Sequence, residues 1–550
     1  MKKRFAAMLL CLCAISVLLP KTAFAADSMT VRINGQLLTS GQEVPCGEGT
    51  ILFDSGSNTL TLENATISET DPNASVIVID GEQQRGELTI RLIGDNKITS
   101  TSENVIPLAF FSADVTIQGT SSDSLTVESN SDCISGNSSY TYSSLTIEGC
   151  TMQLTSHRSF GIAGDTKSGQ ICLRNKANIT VNSAGIAVWA GPSGLQITDS
   201  TINATTSGPT NTIYSDGDIS ISNSTVEAVG TSSDAYPAIY AYGNMTVAAA
   251  SNVTAQSSGM RGLYIENSLS VTDSTVTASG NTDEGIIAVD TFTIENSKVT
   301  ASGKPNSIKP AIVTNHLNIS ASNVTAKGGI HLYDWYSGNA TARSFLLTPA
   351  NGKSAEFKVD GSNWDGSAAV HFKEGAESPY DTAVNFSESE MNWLNAYRYI
   401  HIGEHIHSGG TADCHTPAVC DDCGRPYGTA DPNTHIWEKD FTVDKAPTCT
   451  EAGQKSIHCQ YCSATKDSET IQPLGHSYKN GKCTICGASQ PEQKPEESAS
   501  AAGPVSSDDN DHPQTGDNSV MLPWILTLLV SGCAITGTIV YNKRRKGMSL

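Results

Sequence analysis

The sequence predicts an all-β chain whose body is a solenoid of stacked strands. Three observations predict it. First, one short phrase recurs between about Leu195 and Ala326: Leu-Gln-Ile-Thr-Asp-Ser-Thr-Ile from Leu195, Ile-Ser-Ile-Ser-Asn-Ser-Thr-Val from Ile219, Ser-Val-Thr-Asp-Ser-Thr-Val from Ser270 and Thr-Ile-Glu-Asn-Ser-Lys-Val from Thr293. Second, aligning the phrases brings one small residue into a column: Ser200, Ser224, Ser251, Ser274, Ser297 and Ser322, spaced by 24, 27, 23, 23 and 25. Third, two residues further on stands an aliphatic column: Ile202, Val226, Val253, Val276, Val299 and Val324. A period in the low twenties, carried by short alternating β-branched runs with no helical stripe, is the pattern of stacked β-coils. One coil cannot bury its apolar face alone, whereas a stack can.

Taken in order, residues 1–25 read as an export signal. Lys2, Lys3 and Arg4 precede an apolar run from Phe5 to Leu19, and Ala23-Phe24-Ala25 supplies small residues for cleavage. Residues 26–59 read as cap strands that close the open end of the coil, with Asp54-Ser55-Gly56 as a turn. Residues 60–344 are the solenoid, expected to make about eleven turns, with Ala65 and Ile67 in the small and aliphatic columns and Cys150 and Ala177 as further small-column residues. From 345 to 402 the phrase is lost, but Phe345-Leu346-Leu347 and Ala355-Glu356-Phe357-Lys358-Val359 still read as strands of a closing β region. Residues 403–488 form a Cys/His-rich module, and 489–511, rich in Pro, Glu, Ser and Asp, read as an extended disordered linker. Residues 512–550 end the chain with an apolar run from Val520 to Tyr541, long enough to cross a bilayer as a helix, followed by Lys543-Arg544-Arg545-Lys546, which stay cytoplasmic.

The charge balance narrows the partners. The formal net charge is -22, and removing the basic terminal segments makes the body more negative still. Such a surface repels nucleic acid and anionic lipid, so no nucleic-acid partner is expected. It attracts divalent cations.

The C-terminal unit has a specific likeness. Pro513, Thr515 and Gly516 stand before the apolar run and its basic tail, and the three-part arrangement resembles the LPxTG sorting signal of Gram-positive cell-wall proteins, with His512 where that family has Leu. The resemblance implies that a sortase cuts between Thr515 and Gly516 and links the chain to peptidoglycan. The C-terminal helix would hold the precursor in the membrane until then. A plain membrane anchor is the alternative, and both readings place the body outside the cell.

Eight of the 15 cysteines lie in the module. Three CxxC pairs stand out: Cys420/Cys423, Cys459/Cys462 and Cys483/Cys486. Single cysteines Cys414 and Cys449 precede the first two pairs, and His435 and His476 follow them. One grouping gives two Cys₃His sets, Cys414, Cys420, Cys423 with His435, and Cys449, Cys459, Cys462 with His476, the closed tetrahedral type expected of structural zinc. A second takes the His before each pair, His407, His435 and His476, and so gives Cys483/Cys486 a histidine. Both remain open, as do disulfides, since the count is even and the chain exported, and a redox CxxC. With His476-Ser477-Tyr478 and Gly481-Lys482-Cys483-Thr484-Ile485-Cys486-Gly487, the module resembles a Cys-rich, zinc-ribbon-like repeat near the C-terminus of surface proteins of gut Firmicutes. That likeness implies a small structural module rather than a reaction.

Within the coil, Tyr214, Tyr240 and Tyr264 are spaced by 26 and 24 and fall at matching positions. Stacked on one face, they would offer rings to the C–H faces of sugars, or else support the stack as an aromatic ladder. Asp216, Asp218, Glu266 and Asp290 recur nearby, either as calcium ligands or as turn formers.

The repeated phrase makes the body similar to the carbohydrate-binding right-handed parallel β-helix proteins of clostridia. The likeness implies display of a polysaccharide- or host-glycan-binding face, through many weak contacts acting together. A β-helix polysaccharide lyase or glycoside hydrolase is the rival reading. It needs a basic residue or a carboxylate pair about the scissile bond, and in the central turns Arg158 and Arg261 align with no acidic cluster. A surface spacer or protein adhesin is the third.

Overall fold

The computed structural model describes residues 29–492, apart from 82–84, 137–142, 165, 168, 306, 308, 334–342, 375 and 376. The export signal, most of the linker and the sorting signal with Pro513, Thr515 and Gly516 lie outside the described residues. Among the described residues no helix is long and apolar enough to cross a membrane. The described residues form two compact bodies, residues 29–437 with Cys459–Ala464, and Glu438–His458 with residues 465–492.

The first body is a parallel β-solenoid of about ten turns, and 50% of the described residues are strand against 2% helix. A central turn consists of three strands, such as Ile213–Ser215, Ile219–Ser222 and Thr225–Gly230. Every second residue points inward, and equivalent residues of successive turns pair in parallel. One row runs Leu195, Ile219, Met245, Leu269, Phe292, Leu317 and Phe345. Another runs Ile202, Val226, Val253, Val276, Val299 and Val324, with Ala204, Ala228, Ala255, Ala278, Ala301 and Ala326 beside it. All of these side chains are buried, so the aliphatic column of the sequence is a core ladder.

The serine column has a different physical cause. Each serine ends a corner whose preceding residue is left-handed: Asp199, Asn223, Ala250, Asp273, Asn296 and Ala321 have φ between 46° and 61°. Asp and Asn tolerate this conformation better than other non-glycine residues. They also bond from turn to turn, Asn223 Nδ2 donating to Asp199 Oδ1 at 2.5 Å and Asn296 to Asp273. The step of 27 between Ser224 and Ser251 includes a second left-handed residue, Ala249. The corner removes the serine N–H from the strand ladder, and the next serine's hydroxyl accepts it: Ser200 to Ser224 at 3.1 Å, Ser224 to Ser251 at 3.2 Å, Ser251 to Ser274 at 3.2 Å.

Two expectations need correcting. The eleven turns are about ten, because Thr59–Glu63, counted as the first, is parallel to Gly86–Ile93 on one side but paired antiparallel with Gly49–Asp54 on the other. Ala65 and Ile67 are also two residues out of column. Ile67 pairs with Ile98, which follows on to Val127, Leu154, Val181 and Ala204, the alanine row. The buried Asn96 takes over the hydroxyl's role there, its Oδ1 accepting the Ala65 N–H at 2.9 Å.

Antiparallel strands close both ends. At the N-terminal end Thr30–Ile33 pairs with Ile77–Asp80, and Glu43–Cys46, Gly49–Asp54 and Thr59–Glu63 form a meander. At the other end Tyr399–His405 lies antiparallel between the last parallel strand of its sheet, Asn323–Lys327, and Ser354–Asp360. The aromatic rings of Phe345, Phe357, Phe372 and Phe386 plug that end, with stacked centroids 4.4 Å apart for Phe345–Phe386 and 4.7 Å for Phe357–Phe372. Burying a ring of this size stabilises by about 1.5–3 kcal/mol, which a terminal turn with an open apolar face needs.

Candidate metal centres and the tyrosine face

The three CxxC pairs fold alike. In each, the N–H of the first cysteine donates to the carbonyl five residues on: Cys420 to Arg425 at 2.9 Å, Cys459 to Ala464 at 2.9 Å, Cys483 to Ala488 at 2.8 Å. Gly424 and Gly487 follow two of the pairs with φ of 71° and 73° and donate back to Cys420 and Cys483 carbonyls. This tight turn aims backbone N–H groups at the first sulfur. Those of Cys423 and Ser408 draw the Cys420 thiol down to about 5. Those of Cys486, then the His476 ring, draw Cys483 down to about 5. At Cys459 burial opposes ionisation, but the N–H of Tyr461 and the Cys414 thiol outweigh it and bring it to about 6.

Around these turns the structure assembles three sets of four donors: His405, His407, Cys420 and Cys423; Cys414, His435, Cys459 and Cys462; Cys449, His476, Cys483 and Cys486. The donor atoms within each set lie within 4.8 Å of one another. In all three the second cysteine faces a histidine Nδ1: Cys423 with His407 at 3.5 Å, Cys462 with His435 at 3.3 Å, Cys486 with His476 at 3.4 Å. The first cysteine faces the fourth donor. That donor is Cys414 for Cys459 at 3.3 Å, Cys449 for Cys483 at 3.7 Å, and His405 Nε2 for Cys420 at 3.7 Å. An aromatic ring packs on each Nδ1 histidine: Tyr427 on His407, Trp437 on His435 and Tyr478 on His476.

These sets can each hold a metal ion. Tetrahedral bonds of about 2.3 Å to sulfur give sulfur–sulfur edges of about 3.8 Å, close to the separations found. None of the described cysteines is bridged, and the sulfur pairs are far outside the S–S bond length of about 2.05 Å. Burial and the nearby sulfurs of Cys459 and Cys462 push the Cys414 thiol up to about 12. The second body gives the strongest argument. Its sheet of Thr442–Lys445, Gly453–His458 and Thr465–Ile471 and its hairpin of Tyr478–Lys479 with Lys482–Cys483 bury only Cys449, Gly453, Ser456 and Cys483 among the described residues. With no aliphatic or aromatic side chain buried, an apolar core cannot hold that fold, and cross-linking by an ion can.

The grouping by nearest sequence neighbours is corrected. Cys414 does not join Cys420 and Cys423 with His435, nor Cys449 join Cys459 and Cys462 with His476. Each single cysteine skips the nearest pair and serves the one after it, Cys414 with Cys459/Cys462 and Cys449 with Cys483/Cys486. The Cys414 N–H donates to the Thr434 carbonyl at 2.7 Å, which carries it to His435. The Gly475 N–H donates to the Cys449 carbonyl at 3.1 Å, which sets it beside His476. The grouping by preceding histidines matches the observed sets, and His405 is the donor it lacks. The clue was a CxxC pair with no single cysteine left for it, preceded by a His-x-His.

On the solenoid, Tyr214, Tyr240 and Tyr264 are in register on adjacent turns, with Trp189 one turn before. Tyr240 is stacked on both faces, 5.4 Å from Tyr214 and 5.2 Å from Tyr264, and the Arg261 guanidinium lies over Tyr264 at 5.3 Å. The rings therefore turn their faces to one another, as in the supporting ladder of the two readings rather than as flat faces open to a ligand. Their hydroxyls donate to carboxylates, Tyr214 to Asp216 at 3.0 Å and Tyr240 to Glu266 at 2.6 Å, and Trp189 Nε1 donates to the other Asp216 oxygen at 3.0 Å. Burial and these carboxylates raise both phenols above their ordinary range. Tyr242, which the sequence did not single out, crosses the ladder edge-on at 5.2 Å from Tyr240 and is 51% exposed.

The carboxylates read as either calcium ligands or turn formers are engaged with neighbouring side chains and backbone. Asp218 accepts the Asn244 N–H at 2.7 Å, and Asp290 accepts the Ser268 hydroxyl at 2.9 Å. No metal-donor set among the described residues includes Asp216, Asp218, Glu266 or Asp290. Arg261 pairs with Glu284 at 2.9 Å and Arg158 with Glu103.

The chain matches no protein-family model, no curated protein and no solved structure.

Proposed function

We propose that this is an exported surface protein whose right-handed solenoid binds an uncharged, hydroxyl-rich polysaccharide along the Trp189–Tyr264 face. The observation that carries the reading is the tyrosine ladder with its paired carboxylates. It sets tyrosine rings in a row that repeats once per turn, about 4.8 Å, with carboxylates beside the first two phenols, Asp216 at Tyr214 and Glu266 at Tyr240. Vicinal sugar hydroxyls donate to carboxylates, the half-exposed Tyr242 ring receives a C–H face, and a repeating row suits a repeating polymer. The net charge of -22 favours a neutral polymer over an acidic one. The module is a stalk cross-linked by structural zinc, since thiolate and imidazole donors in closed sets of four suit that ion. A sortase would anchor the chain through Thr515 to peptidoglycan. A glycan and polysaccharide array, scored also for released sugar ends, tests this. Binding without release is expected. Release would make the solenoid a lyase or hydrolase, and silence would leave a spacer or protein adhesin.

A further inference from the structure

The first donor set differs from the other two. Its fourth donor is an imidazole, and that imidazole belongs to the end of the solenoid. His405 is the last residue of Tyr399–His405, the strand that closes the coil against Asn323–Lys327. Its side chain is 1% exposed. The ring spans two environments. Nε2 faces the Cys420 sulfur at 3.7 Å, while Nδ1 faces Glu356 Oε2 at 3.3 Å on the neighbouring strand Ser354–Asp360. A carboxylate only accepts, so the proton sits on Nδ1 and the Nε2 lone pair is directed at the thiolates. Carboxylate, imidazole and metal in line is the arrangement that orients a histidine ligand and raises its basicity.

A second contact holds the same turn. Asp422, between the two cysteines, accepts from Lys358 Nζ at 3.0 Å and lies 3.2 Å from His371 Nε2. Lys358 also reaches Glu356 at 3.1 Å. Its ammonium already supplies the cation between these carboxylates, so His371, His405 and Asp422 do not make a further metal centre.

From this geometry we infer that His405 is a metal ligand of the first centre, that Glu356 is its positioning residue, and that the ion there fastens the Cys420–Cys423 turn to the closing strands of the solenoid. The inference rests on the zinc reading of the module. The other two centres join segments of the module alone, whereas this one is a clasp on the coil's end.

The test uses the full-length protein loaded with zinc, and with cobalt as a spectroscopic probe. Metal content, cobalt absorption and hydrogen exchange are compared for wild type, His405→Ala, Glu356→Gln and Cys486→Ala. Wild type should take up three ions. His405→Ala should lose one at limiting free metal and lose the metal-dependent protection of Ser354–Asp360 and Tyr399–His405. Cys486→Ala should also lose one ion but keep that protection. Glu356→Gln, which leaves the strand pairing intact, should weaken one site by about 10–100-fold and leave the other two unchanged. If wild type binds three ions and His405→Ala binds three with unchanged affinity and cobalt spectrum, His405 is not a ligand and the clasp is wrong. Wild-type affinity in Glu356→Gln would remove its positioning role. If wild type binds none, the zinc reading itself fails, and the clasp with it.

Discussion

The backbone N–H of Ser274 donates to the hydroxyl of Ser297, one turn further along, at 3.0 Å, and that hydroxyl donates to the Glu295 carbonyl at 2.6 Å. The same relay runs from Ser200 to Ser322. It explains why the column is serine rather than merely small: the hydroxyl satisfies the N–H that the corner removes from the sheet, and gives its own proton to a carbonyl two residues back. Replacing Ser274 by Ala leaves the buried Ser251 N–H without its acceptor. The expected cost is about 1–3 kcal/mol. Amide exchange at Ser251 should quicken by about tenfold or more, while amides several turns away keep their rates.

The left-handed corner gives a second prediction. Asn296, at φ 47°, should accept Gly with little change, whereas Val should cost about 1–2 kcal/mol, because a branched Cβ meets the following carbonyl in that conformation. Thermal unfolding of the two variants separates them. Equal midpoints would show that the corner does not constrain its residue.

Acid should loosen the closing strands through Asp360. This buried carboxylate accepts the N–H groups of Ser362 at 2.8 Å, Asn363 at 2.9 Å and Ala368 at 3.0 Å. Burial alone would raise its pKa, but these bonds outweigh it and hold it below the ordinary value. A folded-state pKa below the unfolded one contributes stability that is full above about pH 4 and is lost as pH falls through the folded value. Wild type should therefore lose thermal stability below about pH 4 more steeply than Asp360→Asn, which should already be weaker at pH 7. Parallel acid profiles would contradict this.

Chelation should act on the second body far more than on the solenoid. Its described residues bury no aliphatic or aromatic side chain, and on the proposed reading an ion held by Cys449, His476, Cys483 and Cys486 takes the place of a core. With a strong chelator the amides of Gly453–His458 should exchange freely, while those of Thr225–Gly230 stay protected. Retained protection in both would mean that no ion holds the module.

The core of this fold was legible because a solenoid writes its packing into the sequence at a fixed period: Ile202 to Val324 form one row in the sequence and one row in space. Legibility fell where a side chain of another kind did the same work. Asn96 stands in for a serine hydroxyl and hid the offset of the first turns. The donor sets were legible as residue types but not as groups, since Cys414 lies six residues before Cys420 and yet faces Cys459. Backbone bonds to Thr434 decide that, and no spacing rule encodes them. The tyrosine column was visible, but that its rings stack on one another, with Tyr242 across them, follows only from side-chain rotation.

The most direct test of the account is binding of the polysaccharide with the highest signal on the array by wild type and by the double variant Asp216→Asn, Tyr242→Ala. Tyr242 is exposed, and an Asn at 216 can still accept from Tyr214 or Trp189, so the fold should survive both changes. The account predicts at least about tenfold weaker binding, the loss of two cooperating contacts of about 1 kcal/mol each, with an unchanged unfolding midpoint. Equal binding by the two proteins, or no binding by wild type to any polysaccharide, would contradict it.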